Sequence, residues 1–290
     1  MDRVGIVGAG FMGSGIAEAA AHAGIDVVVH EPHAEPLARS RERIAGSLDR
    51  AAARGTIEAT EVAGALRRVS HSTELGDLRG CELVVEAVTE DERIKIDVFR
   101  RLDELVPADV ILASNTSSIP IANLAGATAR PHLVLGLHFF SPVPVMKLVE
   151  VVPALPTSLD AIAAAEALVR QLGKHPIRAK DRAGFLVNAL LIPYLVAAIR
   201  RYDDGLATRE DIDDGMKLGC GHPMGPLTLC DFIGLDVIDG ICTSLYEEYK
   251  REEYASPPLL KRMVAAGCLG RKNGKGFYDY AAIGIRAAAA

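Results

Sequence analysis

Short apolar runs alternate with longer amphipathic stretches over the first part of the chain. Val4 to Val7 is apolar, too short for a helix and followed at once by Gly8, so it predicts a strand. Phe11 to His22 is rich in alanine and is stopped by Gly24, which predicts a helix. Asp26 to His30 contains Val27-Val28-Val29, a β-branched run suited to a strand buried on both faces. Strand, helix and strand within thirty residues make a βαβ unit. Helical periodicity then occupies about 35–53, and further strands are expected at 83–88, 110–113 and 133–139. Apolar strands alternating with helices argue for a mainly parallel, doubly wound sheet.

The pattern changes near residue 180. Ala179-Lys180-Asp181-Arg182-Ala183-Gly184 is a polar connector ending in glycine, and beyond it only helix-like segments broken by Gly and Pro are visible. The expected fold class is therefore α/β, a doubly wound, mainly parallel sheet in residues 1–183, followed by a second, all-α domain in 184–290. The alanine-rich last residues read as an end that frays.

The length of 290 residues suits two domains, and 49% apolar with 24% charged residues is ordinary globular composition. With 32 Lys+Arg against 38 Asp+Glu the net charge is −6, which gives no general pull toward nucleic acid or an anionic membrane. Any anionic ligand must then be held by local features. The longest apolar stretch, 185–199, is interrupted by Asn188 and Pro193 and is shorter than the ~20 residues a spanning helix needs, so it reads as a core or interface helix and no membrane partner is expected. The N-terminus runs directly into a strand-like segment and reads as lacking a signal peptide. Five scattered cysteines without C-x-x-C spacing indicate reduced thiols in a cytoplasmic protein, with no disulfide framework and no metal site.

Gly8-Ala9-Gly10-Phe11-Met12-Gly13 is G-x-G-x-x-G between a strand and a helix, the Rossmann-type dinucleotide fingerprint. The first glycine permits the tight turn, the second lets backbone approach a pyrophosphate, and the third packs helix against strand. Glu31 ends the second strand 18 residues beyond Gly13, close to the ~20 expected for the acid that binds the adenosine ribose. A carboxylate there accepts from both ribose hydroxyls and repels a 2′-phosphate, so the expected cofactor is NAD rather than NADP; a solvated acid at a strand end is the plainer alternative.

Two further segments fall where a doubly wound sheet places its ligands, at the carboxyl ends of strands. They are Ser114-Asn115-Thr116-Ser117-Ser118 and His138-Phe139-Phe140-Ser141-Pro142. Glu150 lies twelve residues beyond His138, inside the apolar run Leu148 to Val152. A lone buried charge is expensive. A His–Glu pair is one solution, in which the carboxylate fixes the imidazole tautomer and supports the imidazolium formed on proton uptake. A core histidine beside an unrelated strand-edge glutamate would read the same from the residues alone.

The strings S-N-T-S-S, G-L-H-F-F-S-P-V-P-V-M-K-L-V-E-V-V, L-G-K-H-P-I, G-F-L-V-N-A-L-L-I-P-Y, H-P-M-G-P-L-T-L-C-D-F-I-G-L-D and G-R-K-N-G-K-G-F-Y resemble the L-3-hydroxyacyl-CoA dehydrogenase family, from about Val4 to Tyr280. Within that family the chain is most similar to the short bacterial members that act on 3-hydroxybutyryl-CoA. The resemblance implies that His138 is the catalytic base, Glu150 its orienting partner, Ser117 a hydrogen-bond donor to the substrate oxygen beside the nicotinamide, and Asn188 part of the polar set around the reacting carbons. An asparagine inside an apolar helix needs partners, which agrees with that role and equally with a helix-packing amide. By the same resemblance Glu90, Lys95, Asn115, Ser141 and Lys272 contact the cofactor. Ser47 and Arg54, with Arg50, meet the coenzyme A part of the substrate. Arg41, Arg43, Arg50 and Arg54 form a basic patch on an acidic chain, the local anion trap the net charge demands; for Arg41 and Arg43 a solvated helix face is the preferred reading.

Two positions depart from the family pattern. Ser141 replaces a common asparagine and reaches less far, and Arg54 replaces a common lysine, which keeps the charge but changes its geometry. The implied activity is NAD-dependent interconversion of (S)-3-hydroxyacyl-CoA and 3-oxoacyl-CoA. One alternative is the same chemistry on an acyl group tethered to a carrier protein. A catalytically silent relative, or a hydroxyacid dehydrogenase with a lysine base, fits the residues less well. Family members pair through the helical domain, which implies a homodimer.

Overall fold

The computed structural model describes residues 1–280; the alanine-rich end expected to fray lies outside the described residues. The chain divides into two compact units between Arg182 and Ala183.

The first unit is built on one eight-stranded sheet. Its strands are β1 (Arg3–Val7), β2 (Asp26–His30), β3 (Val69–Ser72), β4 (Leu83–Glu86), β5 (Ile111–Ser114), β6 (Val134–Phe139), β7 (Leu148–Pro153) and β8 (His175–Arg178). Their spatial order is β3-β2-β1-β4-β5-β6-β7-β8. All neighbours run parallel except β6 and β7, which are antiparallel. The helices are α1 (Phe11–His22), α2 (Ala34–Ala53), α3 (Ala59–Arg68), α4 (Glu92–Leu105), α5 (Ile121–Ala125) and α6 (Leu159–Gln171). Strand order reverses between β1 and β4, and in such sheets the crevice beyond the carboxyl ends at that point is the ligand site.

The central strands read as continuous apolar runs because helices cover both faces: Leu83, Val84 and Val85 of β4 are buried on either side. One core joins α1, α2 and α6 to the sheet through residues such as Ile6, Ile16, Val29, Ile44, Leu137 and Val169. β3, β8 and α3 leave no clear trace in the apolar pattern. Val69-Ser70-His71-Ser72 and His175-Pro176-Ile177-Arg178 are half-exposed edge strands, too short and too polar to show an alternation. α3 buries only Ala65 fully and starts on a capping box formed by Glu58 and Glu61.

The second unit is helical: α7 (Val187–Asp203), α8 (Arg209–Cys220), α9 (Pro226–Ile233), α10 (Leu235–Tyr249) and α11 (Pro258–Ala265). Its core gathers Ile192, Leu195, Ile199, Leu227, Ile238, Leu245 and Phe277. Two buried aspartates hold it together. Asp213 of α8 accepts from the N–H groups of Leu227 (2.7 Å) and Thr228 (2.9 Å), capping the start of α9. Asp231 accepts from the N–H groups of Phe277 (2.8 Å) and Tyr278 (2.9 Å), tying the closing segment to α9. Among the described residues no helix is long and apolar enough to cross a membrane.

Candidate active site

β1 ends at Val7 and the chain turns through Gly8 at φ +109°, where its N–H donates to the carbonyl of His30 at 2.9 Å. A Cβ at Gly8 would lie 2.5 Å from the carbonyl oxygen of Ala87, beyond β4. A Cβ at Gly13 would lie 2.0 Å from the carbonyl oxygen of Gly8, so only glycine lets α1 start this close to the turn. Around Gly10, by contrast, a Cβ would meet nothing within 4 Å. That open approach to backbone N–H groups at the start of a helix suits a pyrophosphate. Glu31, just past β2, accepts from the N–H of Ala9 at 3.4 Å, so the acid expected at the ribose and the loop expected at the phosphates are in contact. The residues fit a dinucleotide.

β6 and β7 pair so that His138 stands directly opposite Glu150. In an antiparallel pair such residues share a face, and His138 Nδ1 lies 2.6 Å from Glu150 Oε2 with both side chains buried. The segment 140–147 that joins the two strands accounts for their separation in the chain. Ser141 within it is exposed and is linked to Pro142 by a cis bond. Asn115, after β5, accepts from the Phe139 N–H at 3.0 Å and so secures the end of β6.

Ser117 lies in the loop after β5, and Glu90 organises that loop. Glu90 accepts from Thr116 Oγ1 (2.6 Å), from the Ser117 N–H (2.9 Å) and from Ser118 Oγ (2.9 Å). Burial opposes ionisation of this carboxyl most strongly, yet Lys95 and these donors together outweigh it and hold its pKa below the usual glutamate value. Lys95 is only 1% exposed, with its ammonium 2.6 Å from Glu86 and 3.3 Å from Glu90. Glu86 is fully buried and also accepts from Ser114 Oγ at 2.6 Å and the Val88 N–H at 2.7 Å. Sequence reasoning passes over Glu86, although a glutamate closing the buried run Leu83-Val84-Val85 carries the same signal that singles out Glu150.

A cavity of about 800 Å³ opens beside α1 and α2. Ser47, Arg50 and Arg54, expected to meet coenzyme A, all line it. Arg43 does so as well, which corrects the expectation of a solvated side chain. Its guanidinium donates to Ser14 Oγ (3.1 Å) and to the Ala9 carbonyl (3.4 Å), because α2 packs on α1 and turns this face inward. Arg41 is exposed, as expected of a solvated face. The cavity also holds two groups that the sequence does not single out, Glu18 and Lys174. Ser47 Oγ donates to Glu18 at 2.8 Å. Burial raises the Glu18 pKa, against the lowering effects of Ser47, Arg50 and Lys174.

Asn188 and Lys272 belong to the second unit. Asn188 is buried in the first turn of α7, and Lys272 is paired with Asp236 of α10. Among the described residues no group of three His, Cys, Asp or Glu side chains could hold a metal ion.

Two family models match the chain: 3-hydroxyacyl-CoA dehydrogenase, NAD binding domain, over residues 3–182, and the C-terminal domain of the same family over 184–280. A 3-hydroxybutyryl-CoA dehydrogenase of Mycobacterium tuberculosis is 51% identical over 282 residues, covering 97% of this chain and 99% of the relative. The mitochondrial hydroxyacyl-coenzyme A dehydrogenase of Sus scrofa is 42% identical over 285 residues, covering 96% and 91%. Among solved structures, an (S)-3-hydroxybutyryl-CoA dehydrogenase of Ralstonia eutropha superimposes with a TM-score of 0.93 at 45% identity, covering 97% of this chain and 99% of that one.

Proposed function

The chain belongs to the 3-hydroxyacyl-CoA dehydrogenase family, and on that premise we propose that it interconverts (S)-3-hydroxyacyl-CoA and 3-oxoacyl-CoA with NAD, using His138 and Glu150 as an acid/base pair. The substrates are assigned as short: 3-hydroxybutyryl-CoA, for which two of the relatives are named, and its 3-oxo counterpart acetoacetyl-CoA. The observation that carries this reading is the 2.6 Å contact between His138 Nδ1 and Glu150. Because the relatives compared above are named for coenzyme A thioesters, the alternative of a carrier-tethered acyl group is set aside.

When bound, the dinucleotide supplies the acceptor or donor of the hydride. Gly8, Ala9, Gly10, Phe11, Met12 and Gly13 would hold its pyrophosphate and Glu31 its ribose. Asn115, Ser117 and Ser141 would lie on its nicotinamide side. Glu90 orders that side through the backbone of Ser117 and Ser118, and buried Lys95 acts through Glu90. Lys272, paired with Asp236 within the second unit, would add a contact to the cofactor.

In oxidation, His138 takes the proton of the 3-hydroxyl on Nε2, the ring nitrogen that Glu150 does not hold. Glu150 keeps the ring in the tautomer that allows this and offsets the positive charge the ring gains. In reduction His138 returns the proton. Ser117 and Asn188 hold the substrate oxygen and the thioester, while Ser47, Arg50 and Arg54 bind the phosphates of coenzyme A.

An assay with acetoacetyl-CoA and either NADH or NADPH tests the reading. Turnover with NADH should exceed that with NADPH by about tenfold or more, since a like-charge contact of ~1.4 kcal/mol between Glu31 and a 2′-phosphate already gives that factor. A protein that binds NADH but turns over with neither cofactor would overturn the assignment.

The second unit is also assigned the pairing surface of a homodimer. Leu186 and Leu190 at the start of α7, with Leu206 and Leu218, are exposed, and Leu190 is 70% accessible. Light scattering on a sizing column should give twice the mass of one chain at micromolar concentration; the mass of one chain would refute the dimer. Residence in the cytoplasm is supported by the five cysteines, all unbridged.

A further inference from the structure

The L-G-K-H-P-I string includes a buried lysine that the acid/base chemistry does not use. Lys174 sits just before β8, is 9% exposed and lines the large cavity beside α1 and α2. Its ammonium donates to the carbonyls of Val143 (2.5 Å) and Met146 (2.8 Å), both in the segment that joins β6 to β7. An ammonium has three N–H donors, and among the described residues these two carbonyls are its only hydrogen-bond acceptors. Lys174 and Glu18 are close enough to feel each other's charge. Four cations, Arg43, Arg50, Arg54 and Lys174, thus border a cavity that contains a single carboxylate, Glu18, on a chain whose net charge is −6.

The arginines belong to α2 and its end, whereas Lys174 lies just before β8 and is bonded to the segment after Pro142. A phosphate-bearing ligand held by Arg50 and Arg54 would therefore meet a fixed cation from a second element. Glu18 opposes such a ligand and balances Lys174 until it arrives.

We propose that Lys174 is a further substrate-binding residue, which offers its remaining N–H and its charge to the phosphates of the coenzyme A nucleotide while it clamps the β6–β7 connection, and that Glu18 tempers this site. The inference rests on the assignment of this cavity to coenzyme A. Its distinctive content is that Lys174 recognises the nucleotide end of the substrate and not the acyl end.

The test compares acetoacetyl-CoA with acetoacetyl-pantetheine, which carries the same thioester without the nucleotide, at one alkaline pH for every variant, because burial raises the Glu18 pKa and higher pH favours its carboxylate form. The ratio of kcat/KM for the two substrates isolates the phosphate contact from any change in the loop, which both substrates share. In Lys174→Met this ratio should fall about tenfold, the worth of one charge-assisted hydrogen bond. In Glu18→Gln, which removes the opposing charge and keeps an acceptor for Ser47, it should rise severalfold. Equal losses on both substrates in Lys174→Met would make the lysine a loop clamp only and overturn the proposal. If Lys174→Met does not fold, Glu18→Gln decides: an unchanged or lowered ratio overturns it. Wild-type protein that uses neither thioester while binding NADH would mark the failure of the functional reading itself. Wild-type protein that uses both equally well would mark the failure of the cavity assignment, and the proposal would fall with either.

Discussion

Replacing His138 by glutamine should lower kcat about 10²–10⁴-fold, the usual contribution of a positioned general acid/base, while NADH binds nearly as tightly as before. The separation follows from the geometry. His138 is held by Glu150 at the end of β6, whereas the residues that fit the pyrophosphate and ribose lie beyond β1 and β2. Glutamine retains a donor for the Glu150 carboxylate, so the variant should fold, and alanine would serve as the harsher comparison. NADH oxidation measures the first effect and a fluorescence titration of NADH the second. Unaltered turnover would remove His138 from the chemistry. Glu150→Gln should reduce kcat by a smaller factor, because the imidazole remains but loses the negative charge that supports its protonated form.

Two glycines of the same fingerprint should fail in different ways. In Gly13→Ala the new Cβ would lie 2.0 Å from the Gly8 carbonyl oxygen. Backbone cannot yield as a side-chain tip can, so α1 must back away from the turn, at a cost of about 1–3 kcal/mol or more. A lower melting temperature and lost NADH binding should appear together. In Gly10→Ala the Cβ meets no protein atom within 4 Å, and the backbone there is extended, with φ −71° and ψ −169°, a conformation open to alanine. That variant should melt like the wild type yet bind NADH about tenfold or more weakly, a loss of ~1.4 kcal/mol or more, because the methyl group occupies the approach left for phosphate. Wild-type affinity in Gly10→Ala would refute the placement of the pyrophosphate. Wild-type stability in Gly13→Ala would show that the helix can move without penalty.

Much of the first unit is legible in the sequence. β1, α1 and β2 follow from an apolar run, an alanine-rich stretch and a β-branched run punctuated by Gly8 and Gly24. These are local signals, and the buried parallel strands amplify them by being apolar throughout. The edge strands β3 and β8 are illegible for the opposite reason: half-exposed and polar, they are strands because a neighbour pairs with them. Glu86 is legible in principle. Its position at the end of a buried apolar strand demands partners, and Lys95 and Ser114 are those partners.

By itself, then, the sequence determined the βαβ unit, the glycine turn with its acid at the end of β2, the helical character beyond the polar connector, and the requirement that Glu150 have a partner. Periodicity, backbone stereochemistry and the cost of burying a charge are properties of a residue and its near neighbours, so they can be read along a line. Only the tertiary structure decided that Glu150 meets His138 across an antiparallel pair, that Arg43 turns inward to the glycine loop, and that Lys174 shares a cavity with Glu18 and the arginines of α2. Those contacts join residues far apart in the chain, and they exist because strand register and helix packing choose which distant side chains share a face.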